Sequence, residues 1–365
     1  MWREASLIPR GFFVFPRQRL LKAWHPRLFT LAMAGAIFVG GAAKTFGDAQ
    51  PARQALGEAG SSRVIRDEVE RSVRIPADVR RIVTLAPNLT ETVYALGLED
   101  RLVGDTDYCD TPPAARMKTH VGAPVSPSLE AIVGLRPDLV LATTSINRRE
   151  SVEALARMGI AVYTSDPHTV RGMLDSIARM ADLANAAQQG TALVRRLEAR
   201  LDALHTRLAD LPLVHVLFVV WEDPLITIGQ NTFIADALRW AGAESVIVSS
   251  QNWPQVSLEE VVRLEPDYIV LASNHRETNA SRISDLRGRP TWNQLRAVEM
   301  GHVVVLSEEV ARPSPSLVDS IEELAHELHP EAFVAAPPLP SSAAPPRRPS
   351  SAYVTTGEEC RPCAR

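Results

Sequence analysis

Hydrophobic positions along the chain fall into the alternating strand and helix patterns of an α/β protein. Arg81-Ile-Val-Thr-Leu-Ala86 is a β-branched apolar run of the kind buried on both faces of a sheet. It leads through Pro87 to Asn88, with Glu91 three residues on, which predicts a helix opened by a capping box and closed at Gly97. Short β segments are expected just before this run, at 64–65 and 73–75. Further strands are expected at 139–142 and 160–164, and helices at 128–135 and 149–158.

From about His168 to Asp210 the strand signal disappears. The segment is rich in Ala, Leu, Arg, Glu and Gln, all good helix formers. Leu193, Val194, Leu197, Leu201, Leu204 and Leu208 recur at spacings of three and four, which lines one face of a long helix, with Gly190 its weak point. A helix of roughly 20 residues spans about 30 Å, enough for a stiff strut. Strand signals then resume at 215–221, with a return strand at 225–228 ending at Gly229. Asn231 is the expected cap of a helix over 232–240. Strands at 246–248, 268–271 and 303–306 follow, and a last helix over 316–328.

One segment occurs twice. Ser128-Leu-Glu-Ala-Ile-Val-Gly-Leu-Arg-Pro-Asp138 returns 129 residues later as Ser257-Leu-Glu-Glu-Val-Val-Arg-Leu-Glu-Pro-Asp267, with seven of eleven positions identical. In each copy Ser caps a short helix, Glu occupies its first turn, and Pro-Asp ends it before a strand. A generic helix–strand junction could arise twice, but seven identities without a gap favour two similar α/β lobes, one on each side of the long helix. A cleft between two such lobes is a favoured place for a small molecule.

The two ends differ from the middle. Arg3, Arg10, Arg17, Arg19, Lys22 and Arg27 precede an apolar run at 28–43, whose length suits a signal-peptide core and is short for a membrane span. Residues 1–43 therefore read as a secretory signal, with an uncleaved N-terminal anchor as the alternative, and 44–62 as a linker. Removing 1–43 takes away those six cations and the single acid Glu4, moving the net charge from −4 to −9. A nucleic-acid partner is not expected of such a chain. Residues 331–365 are dominated by Pro, Ser and Ala and read as a disordered tail. Its Cys360 and Cys363 either close a small disulfide or are a coincidental pair; with Cys109 they are the three cysteines of the chain, too few for a disulfide framework. The folded part divides into an N-terminal lobe (63–167), connecting helices (168–211) and a C-terminal lobe (212–330).

The run at 81–91, the two Ser-Leu-Glu segments, Trp253-Pro-Gln-Val-Ser257 and Ala311-Arg-Pro-Ser-Pro315 together resemble the class III periplasmic substrate-binding proteins of ABC importers. These serve uptake of cobalamin, haem, siderophores and some metals, and the cobalamin (vitamin B12) branch is the nearest in pattern. The resemblance covers about 62–330. It implies two similar α/β lobes joined by a long rigid α-helix, an extracytoplasmic (periplasmic) location, a monomer, a transmembrane permease as partner, and a corrinoid as transported ligand rather than any resident cofactor.

The resemblance also implies residue roles. Glu130 and Glu259 match the acidic residue at the top of each lobe that meets arginines of the permease; by their position alone, both are first-turn carboxylates that stabilise a helix by about 0.3–1 kcal/mol. Tyr108, Trp221 and Trp253 match aromatic residues that meet the ligand, which suits a large flat ring system. Arg312 matches a family arginine near the cleft, facing either the ligand or a neighbouring acid. There are departures: Pro124 stands where the family often carries Trp, and 143–147 is polar where relatives offer an aromatic.

Other chemistries find less support. A siderophore site could draw on Arg148, Arg149, Arg276 and Arg312, and a haem site could take Tyr108 as an axial ligand. His120, His168, His205, His215, His275 and His302 are scattered without metal-ligand spacing, so no metal site is expected. No G-x-S-x-G elbow, P-loop or G-x-G-x-x-G turn is present, and no enzyme activity is expected.

Overall fold

A computed structural model describes residues 61–273 and 277–334. The signal region, nearly all of the linker, the tail from 335, and with them His275, Arg276, Cys360 and Cys363 lie outside the described residues.

Strands β1 (Ser62–Arg66) and β2 (Ser72–Pro76) form an antiparallel hairpin ahead of the first lobe. The lobe itself runs β3 (Ile82–Thr84), α1 (Pro87–Ala95), β4 (Leu102–Gly104), the small antiparallel pair β5 (Gly122–Ala123) and β6 (Ser126–Pro127), α2 (Leu129–Gly134), β7 (Leu139–Thr143), α3 (Arg149–Arg157) and β8 (Val162–Ser165). Its four-stranded sheet has the order β4-β3-β7-β8 and is parallel throughout.

The connector is a pair of helices, α4 (Val170–Leu183) and α5 (Ala187–Leu208). The leucines predicted to share one face of α5 are buried. Gly190, expected to be the helix's weak point, is where α5 packs closely on α4: a Cβ there would stand 2.4 Å from the Cβ of Ala181. Its missing side chain is a packing requirement.

The second lobe contains β9 (Val214–Val219), β10 (Trp221–Glu222), β11 (Leu225–Ile226), α6 (Phe233–Trp240), β12 (Ala243–Ser245), α7 (Leu258–Leu264), β13 (Tyr268–Ser273), α8 (Asn279–Arg287), α9 (Arg296–Met300), β14 (Val303–Ser307) and α10 (Leu317–Leu328). Its sheet order is β12-β9-β13-β14, again all parallel. In chain order both sheets read second, first, third, fourth.

The duplicated segment does the same work in each lobe. Ser128 Oγ accepts from Ala131 N at 3.2 Å, and Ser257 Oγ from Glu260 N at 3.1 Å. The carboxylate of Asp138 takes the amides of Arg80 and Arg81, both at 2.8 Å, and that of Asp267 takes His215 N at 3.0 Å. Each repeat thus ties the strand it precedes to the lobe's first strand. Even the helix exits agree, with Arg136 at φ 45° and Glu265 at φ 46°, a left-handed conformation that costs a non-glycine residue about 1 kcal/mol.

Three expectations need correction. Asn88 is not a cap: α1 begins at Pro87, its N-cap is Ala86 without a side-chain bond, and Asn88 and Glu91 are turned to the other lobe. Thr232, not Asn231, caps α6, because its hydroxyl reaches Ala235 N at 3.2 Å. The strand expected at 246–248 lies at Ala243–Ser245; the chain leaves the sheet as Val248 turns out to solvent, 79% exposed.

One apolar cluster runs through both lobes and the connector, from Ile82 of β3 through Leu193, Leu197 and Leu201 of α5 to Phe218 of β9 and Leu324 of α10. Polar ties reinforce it. Asp236 of α6 accepts the Val170 amide at the start of α4 at 2.8 Å, and Arg200 of α5 reaches Asp319 and Glu322 of α10. Continuous dense packing of this kind transmits strain rather than absorbing it, so the connector is stiff.

Candidate functional site

Ligands of open parallel α/β sheets bind outside the carboxyl ends of the strands. Here the two sets of carboxyl ends meet along a seam. Asn88 and Glu91, just beyond β3, reach Pro313 O at 3.4 Å and Ser316 N at 2.7 Å, in the segment that follows β14. Neither residue was assigned this role from sequence, because the partners stand 225 residues away.

Tyr108 lies in the loop that leaves the carboxyl end of β4 in the N-terminal lobe, and is half-buried. The loop is pinned beneath it. Thr90 of α1 donates to Cys109 Sγ at 3.0 Å, Asp107 N bonds Gly122 O at 3.1 Å, and Asp105 bonds His120 Nδ1 at 2.7 Å. Burial, with the nearby Asp107 charge, raises the Tyr108 phenol above its ordinary range. Burial also pushes the Cys109 thiol up to about 11, which leaves it protonated and unsuited to nucleophilic attack. Asp105 is fully buried with Oδ2 lacking a hydrogen-bond partner; desolvation lifts its carboxyl to about 6, against the pull of His120 and Lys118.

Trp221 and Trp253 are brought together on the other side. Trp221 pairs with Ile226 across the β10–β11 hairpin, and Ile226 bridges Gln255. Three further bonds extend that pairing: Val256 N to Leu225 O at 3.0 Å, Thr227 N to Pro254 O at 3.1 Å and Gly229 N to Asn252 O at 2.9 Å. The segment 252–256 is therefore the third strand of an antiparallel ribbon. Alternation along strands puts Trp221, Ile226, Ile228 and Trp253 on one face of it. Gly229 is required there, since a Cβ would lie 1.8 Å from Gln251 O. The ribbon is clamped from outside: Glu222 is gripped by both Arg282 and Arg289, and Arg289 also covers the Trp292 ring at 5.4 Å. Trp221 is fixed by its own indole N–H, which donates to Asp223 O at 2.7 Å.

Arg312 lies in the segment after β14, its side chain 17% exposed and 3.4 Å from Glu308. Among the other arginines weighed for an anionic ligand, Arg149 pairs with Glu153 at 2.6 Å and Arg148 is exposed at the start of α3. The polar stretch 143–147 has a structural reason: buried Asn147 accepts from Thr143 N at 2.8 Å and donates to Leu85 O at 2.7 Å and Pro124 O at 2.9 Å, tying three loops at the carboxyl edge. Among the described residues no three His, Cys, Asp or Glu side chains converge as a metal site would require, and no helix is long and apolar enough to cross a membrane.

Glu130 and Glu259 occupy matching places in the first turns of α2 and α7, both exposed. Neither makes an ion pair with another described residue, whereas Glu260 lies 3.9 Å from Arg263.

Two parallel α/β lobes of identical strand order, braced by a helical connector and opening their carboxyl edges on one seam, define the class III periplasmic binding protein fold. The chain belongs to the periplasmic binding protein family, whose model matches residues 82–310. It is 27% identical over 250 residues to a vitamin B12-binding protein of Vibrio vulnificus, covering 68% of this chain and 89% of that one. The solved periplasmic vitamin B12 binding protein BtuF of Vibrio cholerae superposes with a TM-score of 0.61 at 27% identity, over 70% of this chain and 99% of that one. A periplasmic haem-binding protein, BhuT, solved with two haems, superposes equally well, with a TM-score of 0.62 at 25% identity over 69% of this chain and 98% of its own.

Proposed function

We propose that the chain is an extracytoplasmic substrate-binding protein that captures cobalamin or a related corrinoid between its lobes and delivers it to the permease of an ABC importer. The observation that carries this reading is the placement of aromatic side chains at the carboxyl edges of both sheets, Tyr108 on one and the Trp221–Trp253 face on the other. Rigid aromatic side chains supply large contact area to a flat ring at little cost in conformational entropy. The names of the similar Vibrio proteins support the same ligand class. Arg312, next in sequence to the seam contact at Pro313, adds a donor for an amide or carboxylate at the ring periphery.

Delivery rests on Glu130 and Glu259. Exposed carboxylates at matching positions on two lobes steer a basic partner and fix its register more than they add affinity. The stiff connector restricts the lobes to small relative motion, so the protein works as a preformed clamp.

Haem is the second reading, favoured by the haem-loaded structural neighbour and by a tyrosine at the cleft edge. Calorimetry of the chain lacking residues 1–43 with cyanocobalamin, haem and a ferric siderophore in parallel separates the two. One-to-one binding of cyanocobalamin, with weaker or no binding of the others, is expected. Preferential binding of haem would replace the corrinoid reading.

A further inference from the structure

Glu91 is an acid 8% exposed, at the seam between the lobes, and it is not bonded within its own helix. Its Oε1 accepts the amide of Ser316 at 2.7 Å, and the hydroxyls of Ser314 and Ser316, which favour its charged form, pair with each other at 3.0 Å. Ser316 is the N-cap residue of α10 and makes no side-chain cap of its own. The capping carboxylate of α10 is therefore supplied by the opposite lobe. The amino end of a helix carries a partial positive charge and unpaired N–H groups, which makes this a favourable seat for a carboxylate. Asn88, 5% exposed and one turn earlier on α1, adds a second bond to Pro313 O. Both residues stand at the carboxyl end of β3, and their partners close the segment that carries Arg312.

We propose that Glu91 is a positioning residue that sets the spacing of the two cleft walls by capping α10 across the seam. The part concerning ligand rests on the reading that a ligand is held between the lobes; the part concerning lobe spacing does not. Burial raises the Glu91 carboxyl above its ordinary value, and the serine donors offset part of that cost only while the lobes stay together. Losing the contact leaves the half-buried Ser316 amide at the start of α10 unpaired and removes a tie between the lobes, which then gain freedom to move apart.

The test uses spin labels at Met158→Cys and Met300→Cys, which are 56% and 59% exposed on different lobes, in a background with Cys360→Ser and Cys363→Ser. The wild-type residue and Glu91→Gln, whose amide oxygen still accepts from Ser316, give one narrow interlobe distance without ligand. Glu91→Ala broadens that distribution and speeds cyanocobalamin release about tenfold, as expected for losing the hydrogen bond that an acceptor oxygen at this position makes across the seam. Glu91→Asp, which keeps the charge and shortens the reach, takes its place if the alanine variant does not fold. An unchanged distance distribution in the alanine or aspartate variant overturns the proposal, whatever happens to its melting temperature. If the wild-type protein does not retain cyanocobalamin at all, the corrinoid reading fails, while the distance measurement still decides the role of Glu91.

Discussion

The two lobes share a scaffold and differ in what they mount on it. Strand order, the Ser-capped helices α2 and α7, the Asp tie to the first strand and the left-handed helix exit are common to both. The insertions at the carboxyl edges are unlike. The N-terminal lobe carries one aromatic on a loop held from beneath by buried Cys109 and Asp105. The C-terminal lobe carries two on a ribbon held from outside by the Glu222 clamp. Under the proposed function, the duplicated frame keeps equivalent surfaces for a partner that treats both lobes alike, while the inner walls differ to fit a ligand that has no such symmetry.

The largest effect expected from breaking this likeness is on transport. Charge reversal at both Glu130 and Glu259 should abolish ligand uptake by cells while calorimetric affinity stays unchanged, because like-charge juxtaposition at a docking surface costs several kcal/mol. Reversal at either one alone should give an intermediate loss of similar size for each lobe.

Next come the unlike walls. Trp253→Ala should weaken cyanocobalamin binding by about 2 kcal/mol, some thirtyfold, the usual cost of truncating a buried aromatic anchor. Tyr108→Ala should cost less, since a phenol ring offers less contact area than an indole. Calorimetry together with thermal melting distinguishes lost contact from lost folding.

A pH effect belongs to the N-terminal lobe. Burial raises the folded Asp105 carboxyl from 3.8 to about 6, so across that window the folded chain holds a proton that the unfolded chain has released. Stability from this group therefore rises as pH falls from above 6 toward 4. Asp105→Asn should stabilise the protein at pH 7.5 by on the order of 1 kcal/mol and remove that part of the pH dependence in denaturant titrations.

The smallest effects test the common frame. Arg136→Gly and Glu265→Gly each relieve a left-handed residue and should raise stability by similar amounts, about 0.5–1 kcal/mol. Unequal responses would mean that the helix exits are less alike than their dihedral angles.

Much of this was legible in the sequence. Seven identities at an offset of 129 residues announced two similar lobes, and the leucine spacing over 193–208 announced the rod between them. Both are local or self-similar patterns. What stayed hidden depends on contacts distant along the chain. Asn88 and Glu91 carry the spacing of a capping box, yet their partners come from the far end of the other lobe. The ribbon that gathers Trp221 and Trp253 depends on a pairing register between 225–229 and 252–256, which spacing alone does not set. The departures at 143–147 looked like a lost aromatic, whereas buried Asn147 is the polar tie that three loops share.

A crystal structure of the chain with cyanocobalamin tests the central claim most directly. The account predicts one corrin ring at the seam, with Tyr108 from one lobe and Trp253 from the other both in van der Waals contact at about 4 Å. A ligand bound to one lobe alone, or away from the carboxyl edges of the two sheets, would contradict it.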